Sequence, residues 1–264
     1  MKYTYEELAK TIDHSLLHPT LTDQELEDGC RLAAKYGVAS VCIKPYAVKR
    51  AAELLQGTGV SVGAVIGFPH GNSTTESKRY ETELACNDGA MEIDMVINLG
   101  KALSGAWDYV ERDIKAVCDE AHARGAKVKV IFENDYLARG GAGLSGDDFK
   151  RKLCQQCERA GADWVKTSTG YGFVKQPDGS YNYQGATEHD LALMRASVSA
   201  NVQVKAAGGV RDLDGLIKVR DLGATRCGAT ATASMLDEYR RRAASPEPED
   251  AKRVKKPVLG TGGY

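Results

Sequence analysis

Residues 147–167 read DDFKRKLCQQCERAGADWVKT and contain one complete structural unit. Apolar residues recur every three or four positions over 147–160, which predicts an amphipathic helix. Gly161 and Ala162 follow, and glycine accepts the left-handed backbone that ends many helices. Residues 163–167 are short and largely apolar, so they predict a strand. The stretch therefore indicates a helix, a tight turn and a strand in immediate succession.

The same succession repeats along the chain. Eight short apolar segments predict strands at 12–17, 40–43, 60–66, 91–97, 127–132, 163–167, 202–206 and 224–227. Helical periodicity follows each of them, at 23–36, 45–55, 74–88, 109–124, 147–160, 188–197, 213–222 and 234–242. Eight strand–helix units in 264 residues predict the α/β class and a closed (β/α)8 TIM barrel. A doubly wound open sheet has the same alternation, but no GxGxxG motif follows the first strand.

One domain is expected to cover residues 1–243. The remaining stretch, 244–264, reads ASPEPEDAKRVKKPVLGTGGY and has proline, charge and glycine in place of periodicity. We expect a mobile C-terminal tail there.

Composition restricts the partners. Thirty-five basic and 36 acidic residues give a net charge of -1, so no strong field attracts nucleic acid or an anionic membrane. Seven scattered cysteines and a polar N-terminus predict a reduced, cytoplasmic protein. A small molecule is the expected partner, and the sequence leaves the oligomeric state open, a homodimer included.

Charged residues interrupt several predicted strands near their C-terminal ends, where barrel enzymes carry their reactive groups. Lys166 and Lys205 lie in the sixth and seventh strands, Lys129 in the fifth, Asp94 in the fourth and Asp13 in the first. Alternation would point these side chains into the barrel if their neighbours pack against the helices. We therefore expect lysines and carboxylates to meet in one cavity.

A buried lysine next to a second cation becomes nucleophilic, because burial and the neighbouring charge both favour its neutral amine. On this argument Lys166 and Lys205 form such a pair, in which either could be the nucleophile, and Asp94 moves protons. The competing interpretation is structural: strand lysines at the barrel rim would hold their amines in water.

Glycines end the last two predicted strands, at Gly208, Gly209 and Gly228, and Thr230 follows. Backbone N–H groups at such positions bind phosphate in many barrels, and Gly170 after the sixth strand adds to them. The pattern predicts a phosphorylated small substrate.

Seven motifs in order resemble the deoxyribose-phosphate aldolase family of class I aldolases. They are IDHSLLHPT (12–20), VASVCIKP (38–45), VIGFPHG (65–71), EIDMVINLG (92–100), KVIFE (129–133), GADWVKTSTGY (161–171) and VKAAGGVRD (204–212). The resemblance implies reversible cleavage of 2-deoxy-D-ribose 5-phosphate to D-glyceraldehyde 3-phosphate and acetaldehyde.

The resemblance also implies roles. Lys166 forms the Schiff base, Lys205 tunes it and Asp94 transfers protons with water. The implied pocket residues are Asp13, Cys42, Lys129, Thr169 and, by analogy with members that end in a tyrosine, Tyr264. The implied phosphate contacts are Gly170, Gly208, Gly209 and Gly228, with Thr230 as a hydroxyl donor. No metal or other cofactor is expected, since the five histidines form no close set with carboxylates.

Three departures from the family pattern stand out. Ala231 follows Thr230 where the family usually keeps a pair of serines, so one hydroxyl donor is missing. The loop 171–185 is longer than the family's short turn, and Asn134 and Asp135 replace a threonine after Glu133. These differences leave open a class I aldolase of the same fold for a different sugar or aldehyde, phosphorylated or unphosphorylated. They also leave open an inactive sugar-phosphate binding protein.

Overall fold

A closed barrel of eight parallel strands forms the centre of the protein. The structure, a computed structural model, describes residues 1–244. The barrel strands are β1 (Ile12–Leu16), β2 (Ser40–Ile43), β3 (Ser61–Ile66), β4 (Glu92–Val96), β5 (Lys127–Ile131), β6 (Trp164–Lys166), β9 (Gln203–Ala207) and β10 (Ala224–Ala229). Each strand pairs with its neighbours in chain order, and β10 closes the ring on β1. The predicted barrel is confirmed, and the open-sheet alternative is wrong.

Helices surround the barrel. They are α1 (Tyr5–Ala9), α2 (Asp23–Tyr36), α3 (Val48–Leu55), α4 (Thr75–Asn87), α5 (Leu99–Leu103), α6 (Trp107–His122), α7 (Asn134–Leu137), α8 (Gly146–Ala160), α9 (Glu188–Ala196), α10 (Leu213–Asp221) and α11 (Thr232–Ala244). A 3-10 turn, Pro45–Ala47, precedes α3 and completes the helix predicted at 45–55. The helices α1, α5 and α7 were not predicted, because four or five residues are too few to show helical periodicity.

Local interactions set the helix ends. The Thr22 hydroxyl accepts a hydrogen bond from the backbone N–H of Glu25, and the Glu25 carboxylate accepts one from the Thr22 N–H. This capping box begins α2, and Gly37 ends it in the left-handed conformation with φ of 65°. The bounds of α2 are those that the sequence predicted.

Strand alternation separates two environments. Val130, Val165 and Val204 face outward and belong to the apolar core between strands and helices. The neighbouring side chains Lys166 and Lys205 therefore face the barrel interior, where both are buried. The expectation that these strand lysines point inward is met.

Only the first residue of the predicted C-terminal tail is among the described residues. Ala244, predicted as the first residue of the tail, is the last residue of α11. The other tail residues lie outside the described part of the chain. Within residues 1–244, no helix is both long enough and apolar enough to span a membrane.

Candidate active site

Lys166 lies at the base of a cavity on the C-terminal side of the barrel. The cavity has a volume of about 310 Å³, and Lys205 and Cys42 also line it. Lys166 is the last residue of β6, and only 2% of it is exposed. Its amine is therefore the group that a small molecule entering the cavity meets at the base.

Asp94 joins the two lysines. The Lys166 Nζ lies 2.6 Å from Asp94 Oδ2, and the Lys205 Nζ lies 2.7 Å from the same oxygen. The register of the sheet explains this meeting, since Lys166 and Lys205 are Cα partners on β6 and β9. The other oxygen, Asp94 Oδ1, accepts a hydrogen bond from Lys129 at 3.0 Å.

A second set of charges lies beneath this group. Asp13 contacts the Lys205 amine at 2.6 Å and the Lys129 amine at 3.2 Å. The Arg226 guanidinium donates to Asp13 at 2.6 Å and, through both terminal nitrogens, to Glu92 at 2.7 and 2.8 Å. Asp13 and Lys129 therefore support the cavity from below and do not line it.

The charges around the two lysines shift their pKa values in opposite directions. Burial lowers the pKa of Lys166 below its ordinary value, Asp94 opposes this shift and the Lys205 cation adds to it. Burial also disfavours the charged form of Lys205, but the carboxylates of Asp13 and Asp94 outweigh it and raise the pKa of that amine. Strand spacing alone could not distinguish the two lysines, and only the family resemblance assigned the Schiff base to Lys166. In the structure the second carboxylate, Asp13, distinguishes them.

The number of charges in the network agrees with a lowered pKa for Lys166. Besides Lys166, the network holds three carboxylates and three cations. They are Asp13, Glu92 and Asp94 against Lys129, Lys205 and Arg226. An ammonium at Lys166 would add an uncompensated charge to a buried site, which is costly. The neutral amine is therefore the favoured form.

Asp94 stays ionised in this setting. Burial alone would raise the pKa of its carboxyl, but Lys129, Lys166 and Lys205 together hold it well below its usual range. The carboxylate thus accepts a hydrogen bond from the lysine amine at 2.6 Å and can accept another from a water beside it.

One side of the cavity is apolar. Leu17, Cys42 and Val65 form a small buried cluster, against which Phe68 and Tyr171 pack edge to face with ring centres 5.5 Å apart. Burial raises the pKa of the Cys42 thiol to about 11, so this side carries no charge at neutral pH. It offers a surface for a methyl or methylene group.

The opposite end of the cavity is made of strand-end turns. Gly170, Gly208, Gly209, Gly228 and Thr230 all line it. The first comes from the end of β6, the next two from the end of β9, and the others from β10 and the residue after it. The structure thus brings together all five residues predicted to contact phosphate.

Arg211 also lines this end, a residue that the sequence argument did not single out. It stands two positions after Gly209, within the motif VKAAGGVRD, so its place in the chain was a usable signal. Its guanidinium brings a permanent positive charge to the cavity mouth, which favours an anionic group there.

Thr169 lines the cavity while its hydroxyl points to Glu133. That hydroxyl and the Thr169 backbone N–H both donate to the Glu133 carboxylate. Burial raises the pKa of Glu133 to about 7, against the opposing effect of these hydrogen bonds. A methyl group on Gly172 would come within 2.4 Å of the Glu133 carboxyl carbon, so only glycine fits there.

Glu133 itself was not predicted as a site residue. Its backbone is left-handed, with φ of 56°, which is strained for a residue with a side chain. It turns the chain from β5 into α7 and so aims the carboxylate at Thr169. The sequence contained no signal for this conformation.

The long loop 171–185 forms a two-stranded hairpin, with the turn sequence Pro177-Asp178-Gly179 between its strands. Here β7 (Val174–Lys175) pairs antiparallel with β8 (Tyr181–Asn182). The next residue, Tyr183, is 5% exposed and lines the cavity. Tyr264, predicted to reach the pocket, lies outside the described residues.

The match to a family model decides the class of this site. The model described as DeoC/LacD family aldolase matches residues 8–239. The chain belongs to this family. The resemblance drawn from the sequence is confirmed, and with it the prediction of an enzyme of the lyase class.

Individual relatives agree with the family. The chain is 51% identical to a deoxyribose-phosphate aldolase from Rhodopirellula baltica over 99% of both chains. It is 42% identical to one from Aciduliprofundum boonei, over 88% of this chain and 96% of the relative. A solved tetrameric deoxyribose-phosphate aldolase from Aeropyrum pernix superposes with a TM-score of 0.76 at 29% identity, over 90% of this chain and 92% of the other.

Proposed function

We propose that this chain cleaves 2-deoxy-D-ribose 5-phosphate reversibly to D-glyceraldehyde 3-phosphate and acetaldehyde. The observation that carries the proposal is a buried amine with a lowered pKa, Lys166, at the base of a cavity whose far end is made of glycine turns. The relative from Rhodopirellula baltica, which matches over 99% of both chains and is named a deoxyribose-phosphate aldolase, supports this choice of substrate.

The reaction begins with attack of the Lys166 amine on the substrate's aldehyde carbon. The carbinolamine loses water and becomes a protonated imine at C1, which accepts the electron pair of the C2–C3 bond when that bond breaks. Loss of the proton from the C3 hydroxyl breaks the C2–C3 bond and releases glyceraldehyde phosphate. The remaining enamine takes a proton at C2, and water then frees acetaldehyde and restores the amine.

Asp94 and Lys205 assist this sequence in different ways. The Asp94 carboxylate, 2.6 Å from the Lys166 amine, moves protons through water during dehydration and cleavage. Lys205 stays a cation and keeps the pKa of Lys166 low. In the same proposal Asp13 and Lys129 hold this arrangement from below, while Cys42 and Thr169 line the pocket.

The substrate's two ends match the two ends of the cavity. The acetaldehyde carbons lie against the apolar side formed by Leu17 and Cys42. The phosphate lies at the turns of Gly170, Gly208 and Gly228, beside Arg211. The seven cysteines are all unpaired thiols, which supports work in the reducing cytoplasm.

Reductive trapping tests the proposal. The protein is incubated with deoxyribose 5-phosphate and borohydride, and the modified peptide is identified by mass spectrometry. We expect a reduced adduct on Lys166. An adduct on Lys205 or Lys129 would overturn the assignment of roles, and no adduct with any sugar would favour an inactive binding protein.

The substrate is tested separately by comparing kcat/KM for deoxyribose 5-phosphate and deoxyribose. We expect a clear preference for the phosphorylated sugar. Equal values would indicate a class I aldolase for a different, unphosphorylated, substrate.

A further inference from the structure

The loop 171–185 packs directly on the turn proposed to bind phosphate. The backbone N–H of Ala186 donates to the Gly208 carbonyl at 3.1 Å. A methyl group on Gly185 would come within 2.7 Å of the Gly208 carbonyl carbon, so the two backbones touch. The loop therefore has a defined position relative to that end of the cavity.

Asp135 holds the end of the loop. Its carboxylate accepts hydrogen bonds from the backbone N–H groups of Gln184 at 2.6 Å and Gly185 at 3.0 Å. These two residues directly follow Tyr183 in the chain. Asp135 is one of the departures from the family pattern, and the long loop that it holds is another.

Tyr183 is the residue that this anchoring brings to the cavity. Its ring packs edge to face on Phe173, with ring centres 5.3 Å apart. A methyl group on Gly208 would lie 3.3 Å from Tyr183 Cε2, the carbon next to the one that bears the hydroxyl. The hydroxyl end of the ring is therefore the end next to the Gly208 turn.

Polar and apolar side chains both line this cavity. Among the described residues there, Ala207, Val210 and Ala231 are apolar, and the Thr169 hydroxyl donates to Glu133. The other polar side chains that line the cavity, besides the two lysines, are Ser15, Tyr183, Arg211 and Thr230. Tyr183 is the buried one of these four, since Ser15 is half-buried and Arg211 and Thr230 are exposed.

We propose that Tyr183 is a specificity-determining residue that donates a hydrogen bond to the substrate's phosphate, and that Asp135 is a positioning residue that acts through it. The inference rests on the proposed function and adds a contact from the long loop. A hydrogen bond to a charged group is stronger than one between neutral groups, so its loss is measurable.

The test compares Tyr183→Phe with the unchanged protein on deoxyribose 5-phosphate and on deoxyribose. Loss of the hydroxyl should raise KM for the phosphorylated sugar about tenfold, with kcat and all constants for deoxyribose changed less than about twofold. Trapping of acetaldehyde on Lys166 should be unaffected. Tyr181→Phe, in the same loop but 64% exposed, is the matched control and should change nothing.

The role of Asp135 is tested by a double-mutant cycle. Asp135→Ala should produce the same selective rise in KM. In the double variant, Asp135→Ala with Tyr183→Phe, KM for deoxyribose 5-phosphate should be about the same as in either single variant. If Asp135→Ala does not fold, Asp135→Asn replaces it, with a smaller effect in the same direction because its amide oxygen still accepts. Additive effects would overturn the positioning role.

Two different results separate the role of Tyr183 from the proposed substrate. An undiminished preference for the phosphorylated sugar in Tyr183→Phe would overturn the role of Tyr183 alone. Absence of that preference in the unchanged protein would overturn the proposed substrate.

Discussion

Lys166 and Lys205 are Cα partners on adjacent strands, and their amines contact the same oxygen, Asp94 Oδ2, at 2.6 and 2.7 Å. Their pKa values nevertheless move in opposite directions. The difference comes from Asp13, which lies 2.6 Å from the Lys205 amine and keeps that lysine a cation. One amine is thus shifted towards its neutral, reactive form, and the other supplies a charge that adds to this shift.

Replacing Lys205 by leucine should remove most activity while the fold is retained. Without the Lys205 cation, the negative charge around Lys166 is less compensated and its pKa rises. A higher pKa leaves less of the neutral amine near pH 7, so kcat/KM should fall about 100-fold. The pH profile of kcat/KM checks this, because its acidic limb should move to higher pH.

Lys127→Leu is the control for that variant. Lys127 is an exposed lysine at the other end of β5, and its removal should leave the rate unchanged. Near-normal rates for Lys205→Leu at neutral pH would remove Lys205 from the mechanism.

Asp94→Asn should separate imine formation from turnover. The carboxylate raises the pKa of Lys166, so its loss favours the neutral amine, and acetaldehyde should still be trapped there by borohydride. The proton carrier is lost, however, and kcat should fall about 100-fold or more. Full turnover in this variant, or complete loss of trapping with the fold intact, would contradict the role given to Asp94.

Arg226→Met should destabilise the protein. The guanidinium joins Asp13 and Glu92, and its removal leaves two buried carboxylates short of a partner. Breaking a buried ion pair on one side typically costs about 3–5 kcal/mol. Urea denaturation measures the change in the free energy of unfolding.

Arg31→Met provides the comparison for Arg226. Arg31 contacts Glu27 and Asp28 at similar distances but is half exposed, so its loss should cost about 1 kcal/mol or less. Equal effects of the two variants would show that the internal network contributes no more than a surface pair.

Glu133→Gln should change the pH dependence of stability. Burial raises the pKa of Glu133 to about 7, above the ordinary value of 4.5, so the folded state holds this proton more tightly than the unfolded state. The resulting stabilisation is complete below pH 4.5 and is lost as the pH rises through 7. The difference in unfolding free energy between variant and unchanged protein should therefore change by at most about 3 kcal/mol between pH 4.5 and 8, in favour of the variant at high pH.

A difference that is independent of pH would show that folding leaves the pKa of Glu133 unchanged. Gln keeps the size of the side chain and its acceptor oxygen, so the hydrogen bond from the Thr169 N–H can persist.

Periodicity alone determined the architecture of this protein. The strand and helix patterns predicted all eight barrel strands and the eight major helices. They could do so because the spacing of apolar residues indicates which side of each element is buried. The same alternation placed Lys166, Lys205 and Asp94 inside the barrel. The family motifs then indicated which chemistry these residues perform.

The tertiary structure decided how the site works. Proximity to Asp13 distinguishes Lys205 from Lys166, and this contact spans β1 and β9, which are far apart in the chain. The left-handed Glu133 and the place of Tyr183 against Gly208 also depend on packing between distant segments. A sequence records which residues each element carries, whereas burial and charge compensation arise only when the closed barrel brings those residues within a few ångströms of each other.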